Sequence, residues 1–187
     1  MLILVRHGRT SVNAGGRLQG HADFDIDGVG RAQVAAMVAK VGVPDRVISS
    51  PLQRARHTAE AFGVPYEVDE RWKEINYGQF EGMLMSDIPA ADLAQWRADE
   101  GFAPPGGESL RDLGLRVRAA CLDLMTEAMD RTVVVTSHVS PIKAAVAWAL
   151  DAPMSIAWRC RLGQAAICRI SCTPLGPVLV GFNEPSV

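Results

Sequence analysis

Residues 132–138 read TVVVTSH. Three valines between threonines leave no polar face, so a strand over Thr132–Ser137 is covered on both sides, like the central strand of a parallel sheet. It stops at a serine and a histidine, and Ser140-Pro141 then opens a helix. The same figure occurs twice earlier. Met1 to Val5 is apolar and runs into Arg6-His7-Gly8, which predicts a buried strand over Leu2–Arg6. Arg46–Ser49 is a third short strand, and it leads through Ser49-Ser50 to Arg54. In open α/β sheets, ligands gather beyond the carboxyl ends of the strands. Three such ends therefore carry Arg6, His7, Arg54 and His138 toward one edge.

Further strands are predicted at Pro65–Val68, Ala166–Ser171 and Val178–Phe182. Apolar residues at Val29, Ala32, Ala36 and Val41 mark a helix over Gly28–Val41. Ser50-Pro51-Leu52-Gln53 reads as a capped helix start, with proline at the first helical position and glutamine where a capping box wants it. Ser109-Leu-Arg-Asp112 opens a long helix to about Met129, and a third runs from Ser140-Pro141 to about Leu150. Strands alternating with helices define an α/β fold, a three-layer α/β/α sandwich around a mostly parallel central sheet. There is no internal repeat, low-complexity tract or linker, and Ala103-Pro-Pro-Gly-Gly107 reads as a loop end. Residues 1–187 read as one domain, and 48% hydrophobic residues suffice for a sizeable core.

The formal net charge is -2, so no global basic field attracts nucleic acid or a membrane surface, and any anion site must be a local cluster. The apolar start is too short for a signal peptide, and no run approaches a membrane span. Cys121, Cys160, Cys168 and Cys172 show neither a CxxC pair nor zinc spacing, and read as reduced core residues. Cys160, Cys168 and Cys172 leave open an interface in a homodimer. The expectation is a soluble, cytoplasmic protein.

The edge cluster suits a phosphate. Two arginines present planar forks that match phosphate oxygens. Helix starts after Ser50 and Ser140 are expected to add free backbone N–H groups. Neighbouring guanidinium groups disfavour imidazolium, so His7 stays a neutral nucleophile, its other ring nitrogen held near Gly8. His138 is expected to be charged while phosphate is bound. A carboxylic acid must protonate the leaving alkoxide and then take a proton from water.

Five blocks in order carry a resemblance over nearly the whole chain. They are Leu4-Val-Arg6-His7-Gly8-Arg9-Thr10 with Asn13, Ser49-Ser50-Pro51-Leu52-Gln53-Arg54-Ala55 with Thr58-Ala59-Glu60, Glu74 to Gly82, Pro105-Gly-Gly-Glu108-Ser109, and Thr136-Ser137-His138. In these the chain resembles the histidine phosphatase superfamily, with its phosphoglycerate-mutase-like fold. The resemblance implies that His7 becomes phosphohistidine, that Arg6, Arg54 and His138 clamp the phosphoryl group, and that Glu74 donates the proton. It places Asn13 in the phosphate pocket and Gln19 and Tyr77 on the substrate side. It implies no cofactor and no metal. Val139, Val12 and Phe80 depart from the glycine, tryptophan and tryptophan frequent at these positions, and bear on substrate shape rather than on chemistry.

Some residues have plainer readings. His57 reads as a solvated surface residue, His21 as a loop or pocket-rim residue, and Glu108-Ser109 as a helix cap. Glu67, Asp69, Glu70 and Glu81 are carboxylates of the kind that usually face water. Met83, Leu84, Met85, Leu93, Trp96 and Phe102 form a loosely spaced apolar set, mostly core, part of which suits a lid over the site.

The expected activity is a metal-independent phosphomonoesterase acting on a small phosphorylated metabolite. Residues 137–143 and 159–165 resemble the α-ribazole phosphatase-like branch, which dephosphorylates a cobalamin precursor. A phosphoglycerate mutase is the rival within the family. It needs a second phosphate site, and Arg71, Lys73, Arg97 and Arg111 form no obvious one. A non-catalytic phosphate-binding module is the rival from another class.

Overall fold

The computed structural model describes residues 1–186, and the valine run lies where its composition requires. In chain order the elements are β1 (Leu2–Arg6), α1 (Ser11–Ala14), α2 (Gly28–Val41), β2 (Arg46–Ser49), α3 (Gln53–Glu60), β3 (Tyr66–Val68), α4 (Ala90–Ala98), α5 (Leu110–Met125), α6 (Glu127–Asp130), β4 (Val133–Ser137), α7 (Val139–Ala149), β5 (Ile167–Thr173) and β6 (Gly176–Glu184). The sheet has six strands in the order β3-β2-β4-β1-β5-β6. β4 pairs in parallel with β1 and β2, and β2 with β3. β5 and β6 close the other edge in antiparallel pairing.

Side chains alternate across each inner strand and sort into two cores. Leu2, Leu4, Ile48, Val133 and Val135 face α5 and α7, where they meet Leu113, Val117, Cys121, Ile142 and Ala145. Ile3, Val5, Val47 and Val134 face the opposite layer, where Val34 and Met37 of α2 and Ala59 of α3 cover them. This alternation is the physical content of the three-layer arrangement. No helix among the described residues is long and apolar enough to cross a membrane.

Several local expectations are corrected. Pro51 is not the first helical residue, since α3 begins at Gln53 with Leu52 at its N-cap and no side-chain cap of its own. The Gln53 N–H instead donates to Asp23 Oδ1 at 2.8 Å, a cap from a distant loop. Ser109 does cap α5, accepting from the Asp112 N–H. That helix breaks at Thr126 rather than running on to Met129. α1 and α4 were not legible. α1 buries no residue and α4 only Trp96, so neither prints an apolar period on the sequence. Cys121, Cys168 and Cys172 are buried as expected, whereas Cys160 is half-exposed.

The first turn of α2 is pressed against the chain just after β1. A Cβ on Gly30 would lie 2.3 Å from Arg9 O, and one on Gly8 would lie 2.5 Å from Gly30 O. Nothing stands within 4 Å of a Cβ on Gly28. Gly30→Ala is therefore expected to lower stability by about 1–3 kcal/mol, the usual cost of forcing atoms into a packed contact. Gly28→Ala should stay within about 0.5 kcal/mol of wild type. Denaturant titration of the two variants checks this, and equal effects would contradict it.

Candidate active site

Strand register brings the predicted residues together. Arg6 stands opposite Ser137, and Ser49 opposite Thr136. The pairing continues one step past the strands, with His7 N donating to Ser137 O and Ser50 N to Thr136 O, both at 3.0 Å. The three carboxyl ends are thus level, and His7 and His138 project from neighbouring strands with ring centroids 5.1 Å apart.

His7 is buried. Its Nδ1 lies 2.7 Å from Gly8 O. A carbonyl only accepts, so Nδ1 carries the proton and Nε2 holds the lone pair. Burial, then the charges of Arg54 and Arg6, hold this imidazole well below its ordinary pKa. The expectation of a neutral ring anchored near Gly8 is met. His138 is also buried and held well below its ordinary pKa by burial, Arg54, His7 and Arg6. Its Nδ1 accepts from Arg54 Nε at 3.2 Å, which leaves Nε2 to donate to Ser50 Oγ at 2.7 Å. In this arrangement His138 is neutral, not charged.

Arg54 is fully buried, and its guanidinium is oriented by backbone oxygens: Ala22 O at 3.0 Å on one terminal nitrogen and Gly20 O at 2.7 Å on the other. Arg6 donates to Leu162 O at 2.8 Å, while its buried Nε has no partner among the described residues. Burial lowers the pKa of both arginines. Two guanidinium groups without a carboxylate partner among the described residues, one with an orphaned donor, fit an anion between them.

Glu74 is buried at the N-terminus of α7. Oε1 accepts from Ile75 N at 2.8 Å and Ser140 N at 3.2 Å, and Oε2 from Val139 N at 3.1 Å. These bonds favour the carboxylate, but burial outweighs them and raises its pKa above the usual range. The helix start after Ser140 is therefore occupied by Glu74, and the one after Ser50 by Asp23. At α7 the Val139 and Ser140 N–H groups expected for phosphate are taken by Glu74, and at α3 the Gln53 N–H by Asp23.

The outer residues divide. Asn13 keeps a buried Oδ1 without a partner among the described residues. Gln19 is turned inward: it is buried, and its Oε1 accepts from Thr10 Oγ1 at 2.6 Å and Asn13 Nδ2 at 3.2 Å. It braces Asn13 rather than facing the substrate side. Tyr77 is buried with its hydroxyl 3.5 Å from Ser140 Oγ, beside an apolar cavity. His21 reaches the rim through Nε2, 3.0 Å from Glu74 O. His57 is not free in solvent, because Nδ1 is paired with Asp25.

Glu81 and Ser50 escaped sequence reasoning as functional residues. Glu81 accepts from Gly20 N at 2.8 Å and His21 N at 3.2 Å, and so holds the loop whose carbonyls orient Arg54. Its place in the Gly78–Gly82 block was the available signal. Among the described residues no three His, Cys, Asp or Glu side chains come together as a metal-ligand set.

A buried pair of imidazoles flanked by two arginines, with a carboxyl of raised pKa in the same cluster, lies at the carboxyl edge of an α/β sheet. Residues 2–185 match the model of the histidine phosphatase superfamily, branch 1, and the chain belongs to that superfamily. It is 37% identical over 170 residues to the glucosyl-3-phosphoglycerate phosphatase of Mycolicibacterium vanbaalenii, covering 82% of this chain and 75% of that protein. It is 35% identical over 176 residues to a bifunctional protein of Mycobacterium tuberculosis, covering 89% of this chain but 48% of that protein. The chain thus spans about half the length of some curated relatives. Among solved structures, the phosphoserine phosphatase of Entamoeba histolytica in complex with 3-phosphoglyceric acid superposes with a TM-score of 0.91 at 28% identity, over 98% of this chain and 96% of that one.

The two depressed imidazoles have a consequence for stability. In the unfolded chain a histidine titrates near about 6.5. The folded rings refuse protons at that pH, so their contribution is whole above it and is lost progressively as pH falls below it. In phosphate-free buffer, denaturant midpoints are expected to decline from pH 7 to pH 5, and His138→Gln should flatten that decline. A pH-independent midpoint in wild type would contradict the assignment.

Proposed function

We propose that this chain is a phosphomonoesterase that works through phosphohistidine at His7 and releases inorganic phosphate from a small organic phosphate. The observation that carries this reading is the tautomer of His7. Gly8 O accepts from the Nδ1 N–H, burial and then the guanidinium groups disfavour the protonated ring, and the Nε2 lone pair is left for phosphorus. Arg6 and Arg54, with the second Nδ2 hydrogen of Asn13, hold the non-bridging oxygens, whose charge dominates such a transition state. Protonation of His138 at Nδ1 would release Arg54 Nε and add a donor to the clamp.

In the first step the His7 Nε2–phosphorus bond forms and the phosphorus–oxygen ester bond breaks. The Glu74 carboxyl gives its proton to the leaving oxygen. In the second step water attacks phosphorus, its proton passes to the Glu74 carboxylate, and the nitrogen–phosphorus bond breaks. Inorganic phosphate leaves, with His7 and Glu74 restored. The raised pKa of Glu74 supports this role, since the shift favours the protonated form that the first step needs.

Hydrolysis is favoured over mutase chemistry because the outer cations are already engaged. Arg71 pairs with Asp69 at 2.7 Å and Asp123 at 2.6 Å. Lys73 lies 3.9 Å from Glu70 and Arg111 3.9 Å from Asp99. Arg97 stacks over Trp158 at 5.5 Å. None is gathered for a second phosphate. The α-ribazole phosphate reading rests on residues 137–143 and 159–165, and the sugar-acid reading on the names of relatives. Both substrates belong in the first panel.

His7→Ala is expected to abolish phosphate release from every ester, by at least about 10³-fold. Glu74→Gln should reduce turnover of alkyl phosphates by about 10²-fold or more, and nitrophenyl phosphate far less, because nitrophenolate leaves without a proton. In wild type, kcat for alkyl phosphates should fall as pH rises through the Glu74 pKa, and chelator should have no effect. Equal losses on both ester types in Glu74→Gln would overturn Glu74 as the acid. Isomerisation of 3-phosphoglycerate without free phosphate would overturn hydrolysis.

A further inference from the structure

A cavity of about 100 Å³ opens beside Glu74, with Leu18, Ile75, Met85, Trp96 and Trp158 in its walls. It is part of the same site, because Ser140 lines it and donates its N–H to Glu74. These walls are mostly apolar, but the hydroxyls of Tyr77 and Ser140 and above all the Lys143 ammonium interrupt them and point to a polar guest. Lys143 lines the cavity half-buried. Among the described residues its ammonium donates to one acceptor, Ala157 O at 2.7 Å, and no carboxylate pairs with it. Its other N–H donors remain for a guest. Trp96 Nε1 and Trp158 Nε1 are buried without a partner among the described residues, their rings perpendicular and 5.2 Å apart.

The phosphoryl group needs none of these, since Arg6, Arg54 and the histidines already surround its place. A molecule that fills the cavity with its phosphoryl group against His7 presents its leaving group there. Its body must be apolar to match the walls. Where it meets Lys143 it must carry an acceptor, and an anion gains most from a desolvated ammonium. Ser140 and Lys143 line the same cavity, and Ser140 N donates to Glu74, so one small molecule reaches from beside Glu74 to this ammonium. Burial holds the Lys143 pKa below its ordinary value, consistent with a cation still lacking its counter-ion.

Resting on the reading of the site as a phosphomonoesterase, we propose that this cavity is the leaving-group subsite and that Lys143 determines specificity there by pairing with a carboxylate on an apolar or aromatic body. The substrate class is thus a phosphate monoester of a hydroxy acid, with the carboxylate seated away from the phosphoryl group.

Phenyl phosphate and 3-carboxyphenyl phosphate test this, because they differ only in the carboxylate. Wild type is expected to favour the carboxylate ester in kcat/KM by about tenfold or more, the worth of a charge-assisted hydrogen bond, with the difference mainly in KM. Lys143→Met should bring the ratio of the two esters to about one, and Lys143→Arg should restore part of it. The intrinsic reactivity of the two leaving groups cancels when the variant is compared with wild type. Turnover of both esters with no preference in wild type, or a preference that survives Lys143→Met, would overturn the subsite and leave the phosphatase reading intact. Failure to turn over either ester would overturn that reading, and the subsite with it.

Discussion

Everything at this site depends on the pairing of β4 between β1 and β2. Parallel strands in register end level, so the first residues beyond them emerge side by side. Arg6 opposite Ser137 and Ser49 opposite Thr136 are that register, and the His7 and Ser50 amides carry it past the strand ends. A slip of one residue would turn His7 toward the opposite layer and separate it from His138. The polar residues that end these strands oppose such a slip, because it would carry Arg6 or Ser137 into the apolar interior that Val133, Val134 and Val135 fill.

Electrostatics then does what register prepares. Among the described residues two arginines are held without carboxylate partners in a buried place, an arrangement that costs stability unless an anion arrives. Burial and then the same charges hold the His7 pKa well below its ordinary value. Glu74 is the counterweight. It sits on the first turn of α7, where backbone N–H groups steady it, yet burial is strong enough to raise its pKa. One helix start thus holds the carboxyl group of Glu74 rather than binding phosphate itself.

The sandwich and the four residues at strand ends were legible in the sequence, because strand period and chain order are one-dimensional and the ligand edge follows from them. Contacts between distant loops were not. Nothing in the sequence says that Asp23 caps a helix thirty residues on, between Gln53 and its own loop. Nothing says that Gln19 turns inward to brace Asn13, or that Glu81 holds the carbonyls that orient Arg54. A carboxylate followed by apolar residues looks the same whether it faces water or a helix end, so Glu74 needed its block to stand out from Glu67, Asp69, Glu70 and Glu81. Lys143 lies one turn past the His138 end of α7, where a lysine ordinarily faces solvent. Only the packing of Trp96 and Trp158 against it reveals a lined cavity.

The central claim is that the phosphoryl group passes onto one particular ring nitrogen. Rapid acid-free quenching of the enzyme with an isotopically phosphate-labelled ester, followed by peptide mapping, tests it most directly. The expected result is an acid-labile, base-stable label on the peptide that contains His7, lost on standing as inorganic phosphate appears. Label on the peptide that contains His138, or steady turnover with no labelled enzyme at any time, would contradict the account.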